Sequence, residues 1–151
     1  MTTGLVLLTH EGVGVAMMEI AAAILGQPGM AVQVVEVPHS MSLEQARSAT
    51  AAAVDALAGV DQLLVLVDLY GATPSNVGME MLQGLSVRGD APHVGALVAG
   101  LNLPMLLRVL NDRERPLAEL VERATQGGTQ GIVAQGVNSG DVNSGDVNSG
   151  D

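Results

Sequence analysis

The sequence of 151 residues contains no cysteine, no tryptophan, no phenylalanine and no lysine. Without cysteine it can form neither a disulfide framework nor a thiolate metal site, so its reactive groups must be other side chains. Its one aromatic residue, Tyr70, provides no set of stacking platforms for a single-stranded nucleic acid. The chemistry must therefore depend on histidine, carboxylate and hydroxyl groups and on the backbone, while Leu, Val, Ala and Met form the core.

Basic residues are also scarce. Six arginines stand against sixteen acidic residues, which gives a formal net charge of −10. A nucleic-acid backbone or an anionic membrane surface is repelled on average by such a chain. The charge balance thus argues against nucleic acid as a partner.

Long apolar runs are missing as well. The N-terminus has no basic region, its apolar run is too short for a signal peptide, and the longest later run is interrupted by Asn102 and Pro104. We therefore expect a cytoplasmic protein that is not inserted into a membrane.

The chain divides into one domain and a tail. Residues 137–151 are three copies of VNSGD, which offer one valine per copy for burial, so this segment is predicted to be disordered. Residues 1–136 have the length of one ordinary domain with a single core.

Within that domain, strand-like and helix-like segments alternate. Val- and Leu-rich runs near 4–9, 31–37, 62–68 and 93–99 lack period-2 alternation, as expected when both faces of a parallel sheet are covered. Helical patterns occupy roughly 13–26, 42–58, 74–85, 104–111 and 116–126, and Ser42 with Gln45 three residues later predicts the start of the second. The alternation predicts an α/β fold, an open and mostly parallel sheet with helices on both faces, and GIVAQ at 131–135 is a candidate short antiparallel edge strand.

Two of the predicted strands end in a titratable side chain. LVLLTHEGVG ends its apolar run at His10, and VLVDLYGATPSN ends its run at Asp68. Ligands bind at the carboxyl ends of the strands in open parallel sheets, so the two side chains can meet if these strands are neighbours. Asp68 could then accept a hydrogen bond from one ring nitrogen of His10, which fixes the tautomer and leaves the other nitrogen free as a nucleophile.

The residues after each strand suggest what that nucleophile could carry. Both loops lead into predicted helices, whose N-terminal amides could hold a phosphoryl group without lysine, and Thr73 and Ser75 add hydroxyl groups. The chain has neither a Walker loop nor a G-x-G-x-x-G motif, so a nucleotide site of either type is not supported. The pattern is suited to phosphate carried on a histidine, with no cofactor and no metal.

Simpler interpretations compete with this one. A lone histidine after a strand is often a loop residue, and an aspartate before a turn often only caps that turn. His39 and His93 have no comparable partner in the pattern and are interpreted as structural or solvated. A non-catalytic regulatory module that binds a small anion in the same crevice is the alternative from a different functional class.

Three motifs together resemble a known family. LVLLTHEGVG, VLVDLYGATPSNVG and VAGLNLPMLLRVL match, in order and spacing, the enzyme IIA domain of the mannose-type bacterial sugar phosphotransferase system over roughly residues 4–135. The resemblance implies that His10 is phosphorylated and that Asp68 orients it. It also implies that the loop residues Gly71, Ala72, Thr73, Ser75 and Asn76 line the phosphate site, flanked by Asn102 with Leu103 and Pro104.

The resemblance also implies partners. Members of the family accept a phosphoryl group from the carrier HPr, pass it to an enzyme IIB domain, and form homodimers. A phosphotransfer subunit of the dihydroxyacetone kinase type is a second possibility within the same chemistry, although that class lacks Pro74 and Asn76 of this loop. Glu11 and Ala72 depart from the family pattern, where glycine or another small residue follows the histidine and a second glycine precedes the hydroxyl residue.

Overall fold

The computed structural model describes residues 1–57 and 59–137. Their centre is a sheet of four parallel strands in the order β2–β1–β3–β4. The strands are β1 Thr3–His10, β2 Val32–Val37, β3 Gln62–Val67 and β4 Val94–Ala99. All four correspond to predicted strands, and β1 and β3 are adjacent in the middle of the sheet.

Five α-helices connect and cover the strands. They are α1 Gly14–Leu25, α2 Leu43–Ala56, α3 Thr73–Gly84, α4 Leu103–Asn111 and α5 Leu117–Gln130. The expected start of α2 is confirmed, because Ser42 and Gln45 form a reciprocal capping box with hydrogen bonds of 2.9 and 3.1 Å. Each helix lies within a few residues of its predicted position.

The side chains of the central strands divide between two apolar cores. In β1, Leu5 and Leu7 pack with α1, α4 and α5, whereas Val6 and Leu8 pack with α2 and α3. All four are completely buried, and so are residues 63–67 of β3. This two-sided burial explains why the strands read as continuous apolar runs, and it confirms the three-layer α/β/α arrangement.

The additional edge strand expected at 131–135 is not formed in the single chain. α5 continues to Gln130, the Ile132 amide closes a turn onto the Thr129 carbonyl at 3.2 Å, and residues 132–136 have no regular secondary structure. Ile132 and Val133 remain 78% and 69% exposed. The VNSGD tail beyond Val137 lies outside the described residues.

Among residues 1–57 and 59–137, no helix combines the length and hydrophobicity that crossing a bilayer requires.

Candidate functional site

The strand order of the sheet reverses between β1 and β3. From β1 the chain passes through α1 to β2 on one side, and from β2 it returns through α2 to β3 on the other side. The loops that leave the carboxyl ends of β1 and β3 therefore diverge and open a crevice, which is the usual ligand position in such folds. His10 is the last residue of β1, and Asp68 follows the last residue of β3.

One carboxylate oxygen holds His10 in two ways. Asp68 Oδ2 accepts a hydrogen bond from the His10 backbone N–H at 3.1 Å and lies 2.9 Å from His10 Nδ1. A carboxylate can only accept, so the ring proton of a neutral His10 must be on Nδ1. This leaves the lone pair on Nε2. The predicted pairing of the two side chains is thus present in the geometry.

The second oxygen of Asp68 lacks any such partner. Oδ1 is buried and makes no hydrogen bond to the described part of the chain. The side chain as a whole is only 15% exposed, while that of His10 is 37% exposed. The pair therefore combines an accessible imidazole with a carboxylate that has poor access to water.

An open cleft of about 330 Å³ lies in front of His10. One wall comes from the loop that begins α3, and the other comes from the loop between β2 and α2. The lining residues are His10, Val37, Pro38, His39, Met41, Gly71, Ala72, Thr73, Pro74 and Asn76. The cleft is large enough to hold a small anion.

The α3 wall provides hydrogen-bond donors. No side chain caps the start of this helix, whose first turn contains Pro74. Uncapped N-terminal amides carry a partial positive charge and bind anions. Gly71, with a φ of +83°, reverses the chain just before the helix, and the Asn76 side chain donates to the Gly71 carbonyl at 3.5 Å.

The N-terminus of α1 differs from the expectation that both helices present free amides. The Gly14 N–H donates to Thr9 Oγ1 at 3.0 Å, and the Val15 N–H donates to Glu36 Oε2 at 3.0 Å. These amides are occupied by groups of the protein itself, one of them a carboxylate. An anion next to His10 is therefore favoured at α3 and not at α1.

The remaining predicted residues of the loop separate into two groups. Gly71, Ala72, Thr73 and Asn76 line the cleft as expected. Ser75 is 1% exposed and does not line it.

Asn102 lies at the same edge of the sheet and is not among the residues that line the cleft. Its Oδ1 accepts from the Met105 N–H at 2.9 Å, and its Nδ2 donates to the carbonyls of Gly100 and Gly128 at 3.4 Å. With these bonds it caps α4, and it borders a separate hollow with Ile132.

His39 is a cleft residue that the sequence interpretation missed. It is exposed, as expected of a solvated histidine, but it lies on the wall opposite α3. The sequence signal was similar to that of His10, a histidine at the carboxyl end of a strand, because His39 lies two residues after Val37, the last residue of β2. His93 fits its interpretation, being exposed at the amino end of β4, where its N–H donates to the Asp61 carbonyl at 3.4 Å.

Arginine is absent from the cleft lining. Four of the arginines form ion pairs elsewhere, namely Arg47–Glu80, Arg88–Asp55, Arg115–Glu119 and Arg123–Asp112. Within the described residues, no group of three or more His, Asp and Glu side chains is arranged to hold a metal ion.

A larger hollow of about 430 Å³ lies at the amino ends of the strands, where it is bordered by Thr2, Gly29 and Arg113. It contains neither His10 nor Asp68, so the chemistry is assigned to the smaller cleft.

Comparisons with known proteins identify the family and the fold of the chain. The family model EIIA-man, described as "PTS system fructose IIA component", matches residues 4–125. No curated protein shows significant sequence similarity to the chain.

Among solved structures, the mannose/sorbose-specific IIA subunit of the phosphotransferase system from Enterococcus faecalis is 26% identical, with a TM-score of 0.75 over 92% of this chain and 98% of that one. The phosphotransferase system component EIIA from Streptococcus agalactiae is 25% identical, with a TM-score of 0.73 over 88% and 97% of the two chains. A IIA protein associated with the fucose utilization operon of Streptococcus pneumoniae, at 21% identity, shares the fold, with a TM-score of 0.65 over 83% and 90%.

One assignment follows from the order of the strands, the His10–Asp68 pair and the match over residues 4–125. The chain belongs to the fructose IIA family of the phosphotransferase system, as a IIA component of the mannose type.

Proposed function

We propose that the protein carries a phosphoryl group on Nε2 of His10, receives it from the phosphohistidine of HPr and passes it to an enzyme IIB domain. The observation that supports this most directly is the 2.9 Å contact between His10 Nδ1 and Asp68 Oδ2, which leaves the lone pair of Nε2 free beside an open cleft. Membership of the IIA family supports a place for the chain between a phosphoryl donor and a phosphoryl acceptor.

The transfer is a substitution at phosphorus. The Nε2 lone pair of His10 forms the new N–P bond, while the bond from phosphorus to the donor's ring nitrogen breaks and its electron pair returns to the donor ring. A proton stays on the other nitrogen of the donor ring, so the donor departs as a neutral imidazole. Nδ1 of His10 keeps its proton, which Asp68 holds while the phosphorylated ring is positively charged.

The cleft then holds the transferred group. The uncapped amides of α3 and the hydroxyl of Thr73 face the charge of the phosphoryl oxygens. The chain reverses at Gly71 without a side chain in the way, so the backbone can approach those oxygens closely.

The test is incubation with phosphoenolpyruvate, enzyme I and HPr, followed by intact mass spectrometry. We expect the mass of one phosphoryl group to be added to the wild-type chain, lost in acid and retained in alkali, as for an N–P bond. His10→Ala should take up none. His93→Ala is the matched control, because it removes an imidazole at the opposite end of the sheet, and it should label fully.

The non-catalytic alternative predicts a different result. A module that only binds anions should bind inorganic phosphate equally well before and after His10→Ala and should take up no covalent label. That outcome would replace the proposal.

A further inference from the structure

We propose that His39 is a second histidine of the phosphoryl site, whose ring donates a hydrogen bond to the phosphoryl group while that group is attached to His10. The inference rests on the proposed function and assigns the residue that faces the transferred group from the wall opposite α3.

The sheet topology places His39 there. β2 pairs with β1 in parallel, and His10 lies opposite Val37 in the register. Pro38 and His39 directly continue β2 beyond that pair, so the loop that they begin leaves the sheet beside His10. β3 flanks β1 on its other side and leads into the Gly71–Asn76 loop. A group on His10 Nε2 is thus bracketed by one loop from each neighbouring strand.

The charges around the cleft make this position important. A phosphoryl group on His10 brings up to two negative charges, and the nearby side chains include the carboxylates of Asp68 and Glu11. Glu36 adds a third carboxylate at the start of α1. Like charges at close range oppose the transfer unless donors or positive groups compensate for them.

Few groups can provide that compensation. No arginine lines the cleft, and the chain has no lysine. Apart from His10, which carries the phosphoryl group, His39 is the one lining side chain that can bear a positive charge. The uncapped N-terminus of α3 supplies partial positive charge from the opposite wall only.

The proline before His39 helps to position it. Pro38 fixes its own φ and lies in the lining next to His39, while the Met41 N–H donates to the Pro38 carbonyl at 3.0 Å. This turn gives the loop a defined path along one wall of the cleft. The exposed His39 ring can therefore meet a phosphoryl oxygen without a rearrangement of the sheet.

The experiment compares the wild-type chain with His39→Ala, His39→Gln and His93→Ala under the labelling conditions given above. Single-turnover transfer from phosphorylated HPr should be about 10-fold slower in His39→Ala, the range expected for one hydrogen bond to a charged group at a half-open site. His39→Gln retains a donor and should recover part of the rate. His93→Ala should transfer at the wild-type rate.

A second measurement distinguishes direct contact between His39 and the phosphoryl group from an indirect effect of the substitution on the structure. The ³¹P resonance of the phosphohistidine should move in His39→Ala relative to the wild type and stay unchanged in His93→Ala, because a contacting donor changes the electron density at phosphorus. Wild-type rates and an unmoved ³¹P resonance in both His39 variants would overturn the inference while leaving the phosphocarrier assignment intact. If the wild-type chain takes up no label, the proposed function itself fails, and a label found on His39 in His10→Ala would overturn both.

Discussion

Asp68 acts on His10 through a single oxygen. Oδ2 accepts from the backbone and faces the ring of the same residue, so it fixes both the position of His10 at the end of β1 and the tautomer of its imidazole. Oδ1, buried without a partner in the described residues, leaves part of the carboxylate charge uncompensated until the ring becomes positive.

Asp68→Asn should therefore slow phosphoryl transfer while the fold is retained. The amide can turn its NH₂ toward Nδ1, which selects the wrong tautomer, and it cannot stabilise the positive ring. We expect a decrease of roughly 10- to 1000-fold in the single-turnover rate, as for the loss of one orienting and electrostatic contact. Stopped-flow transfer from phosphorylated HPr measures the rate, and circular dichroism checks the fold. Unchanged kinetics would mean that Asp68 only closes the turn.

Gly71 can be tested against a glycine that differs from it in backbone angle. Gly71 has a φ of +83°, and no atom lies within 4 Å of the position that a Cβ would take, so Gly71→Ala introduces backbone strain without a clash. We expect it to lower the free energy of unfolding by about 1–2 kcal/mol and to disturb the phosphoryl loop. Urea denaturation measures the first effect and the transfer rate the second.

Gly84 at the end of α3 is the matched control. It also has no atom within 4 Å of an added Cβ, but its φ is −80°. Gly84→Ala should leave the protein unchanged or stabilise it by up to about 1 kcal/mol, because alanine restricts the unfolded chain and suits a helix. Equal effects of the two substitutions would contradict the role assigned to the backbone angle of Gly71.

At the scale of the elements, the sequence predicted the strands and helices well because buried parallel strands and capped helices have strong local patterns. β1 and β3 are apolar at every central position, and Ser42 with Gln45 marks the start of α2. The His10–Asp68 pair could be anticipated because the carboxyl ends of parallel strands share one edge of the sheet.

What the sequence did not predict depends on contacts between segments distant along the chain. Glu36 reaches the amide of Val15, which is 21 residues away, so no local pattern indicates that the start of α1 is occupied. His39 belongs to the cleft only because β2 pairs with β1. Asn102, which caps α4, also donates a hydrogen bond to the carbonyl of Gly128, 26 residues further on.

The ion pair between α2 and α3 predicts a pH effect. Arg47 donates to both carboxylate oxygens of Glu80 at 2.7 and 3.0 Å, and these hydrogen bonds lower the pKa of Glu80 from its ordinary value of 4.5. A lowered pKa in the folded state stabilises the fold above pH 4.5, and this contribution is lost as the pH falls through the folded-state pKa. The pair is exposed, so the contribution is small.

Glu80→Gln should reduce the acid dependence of stability. The urea midpoint of the wild type should fall further between about pH 7 and about pH 3 than that of the variant, and the two proteins should converge at low pH. Some acid dependence should persist, because hydrogen bonds from Thr2 lower the pKa of Asp61 as well. Glu122→Gln, which removes the same charge from α5, is the control. If the urea midpoint of the wild type fell with pH as much as that of Glu80→Gln, the Arg47–Glu80 pair would contribute nothing to stability in solution.

At the scale of the whole molecule, two features have no partner among residues 1–57 and 59–137. β4 is an edge of the sheet, with Val94 52% exposed, and the segment 131–135 is exposed after α5. We predict that 131–135 pairs with the sheet edge of a second copy and so forms a two-fold homodimer. An open sheet edge and a short exposed segment can pair between two copies at little cost in free energy.

Two truncations test this pairing. Ending the chain after Gln135 removes the VNSGD repeats and should preserve both the dimer and the labelling of His10. Ending it before Gly131 should weaken the dimer. Light scattering or sedimentation measures both. A full-length monomer, or a dimer unaffected by the loss of residues 131–135, would refute the pairing of 131–135 with a second copy. Neither result would affect the assignment of His10.

The central position of β1 and β3 also determines the order in which the molecule opens. Their amides are bonded to strands on both sides, and residues 5–8 and 63–67 have no exposed surface, whereas β2 and β4 each pair on one side only within the part of the chain that the structure describes. Amide hydrogens of the inner pair should exchange with solvent only through global unfolding, and those of the outer strands through smaller, more frequent openings. Because His10 and Asp68 stand at the ends of the inner pair, fraying at the edges of the domain leaves their alignment intact.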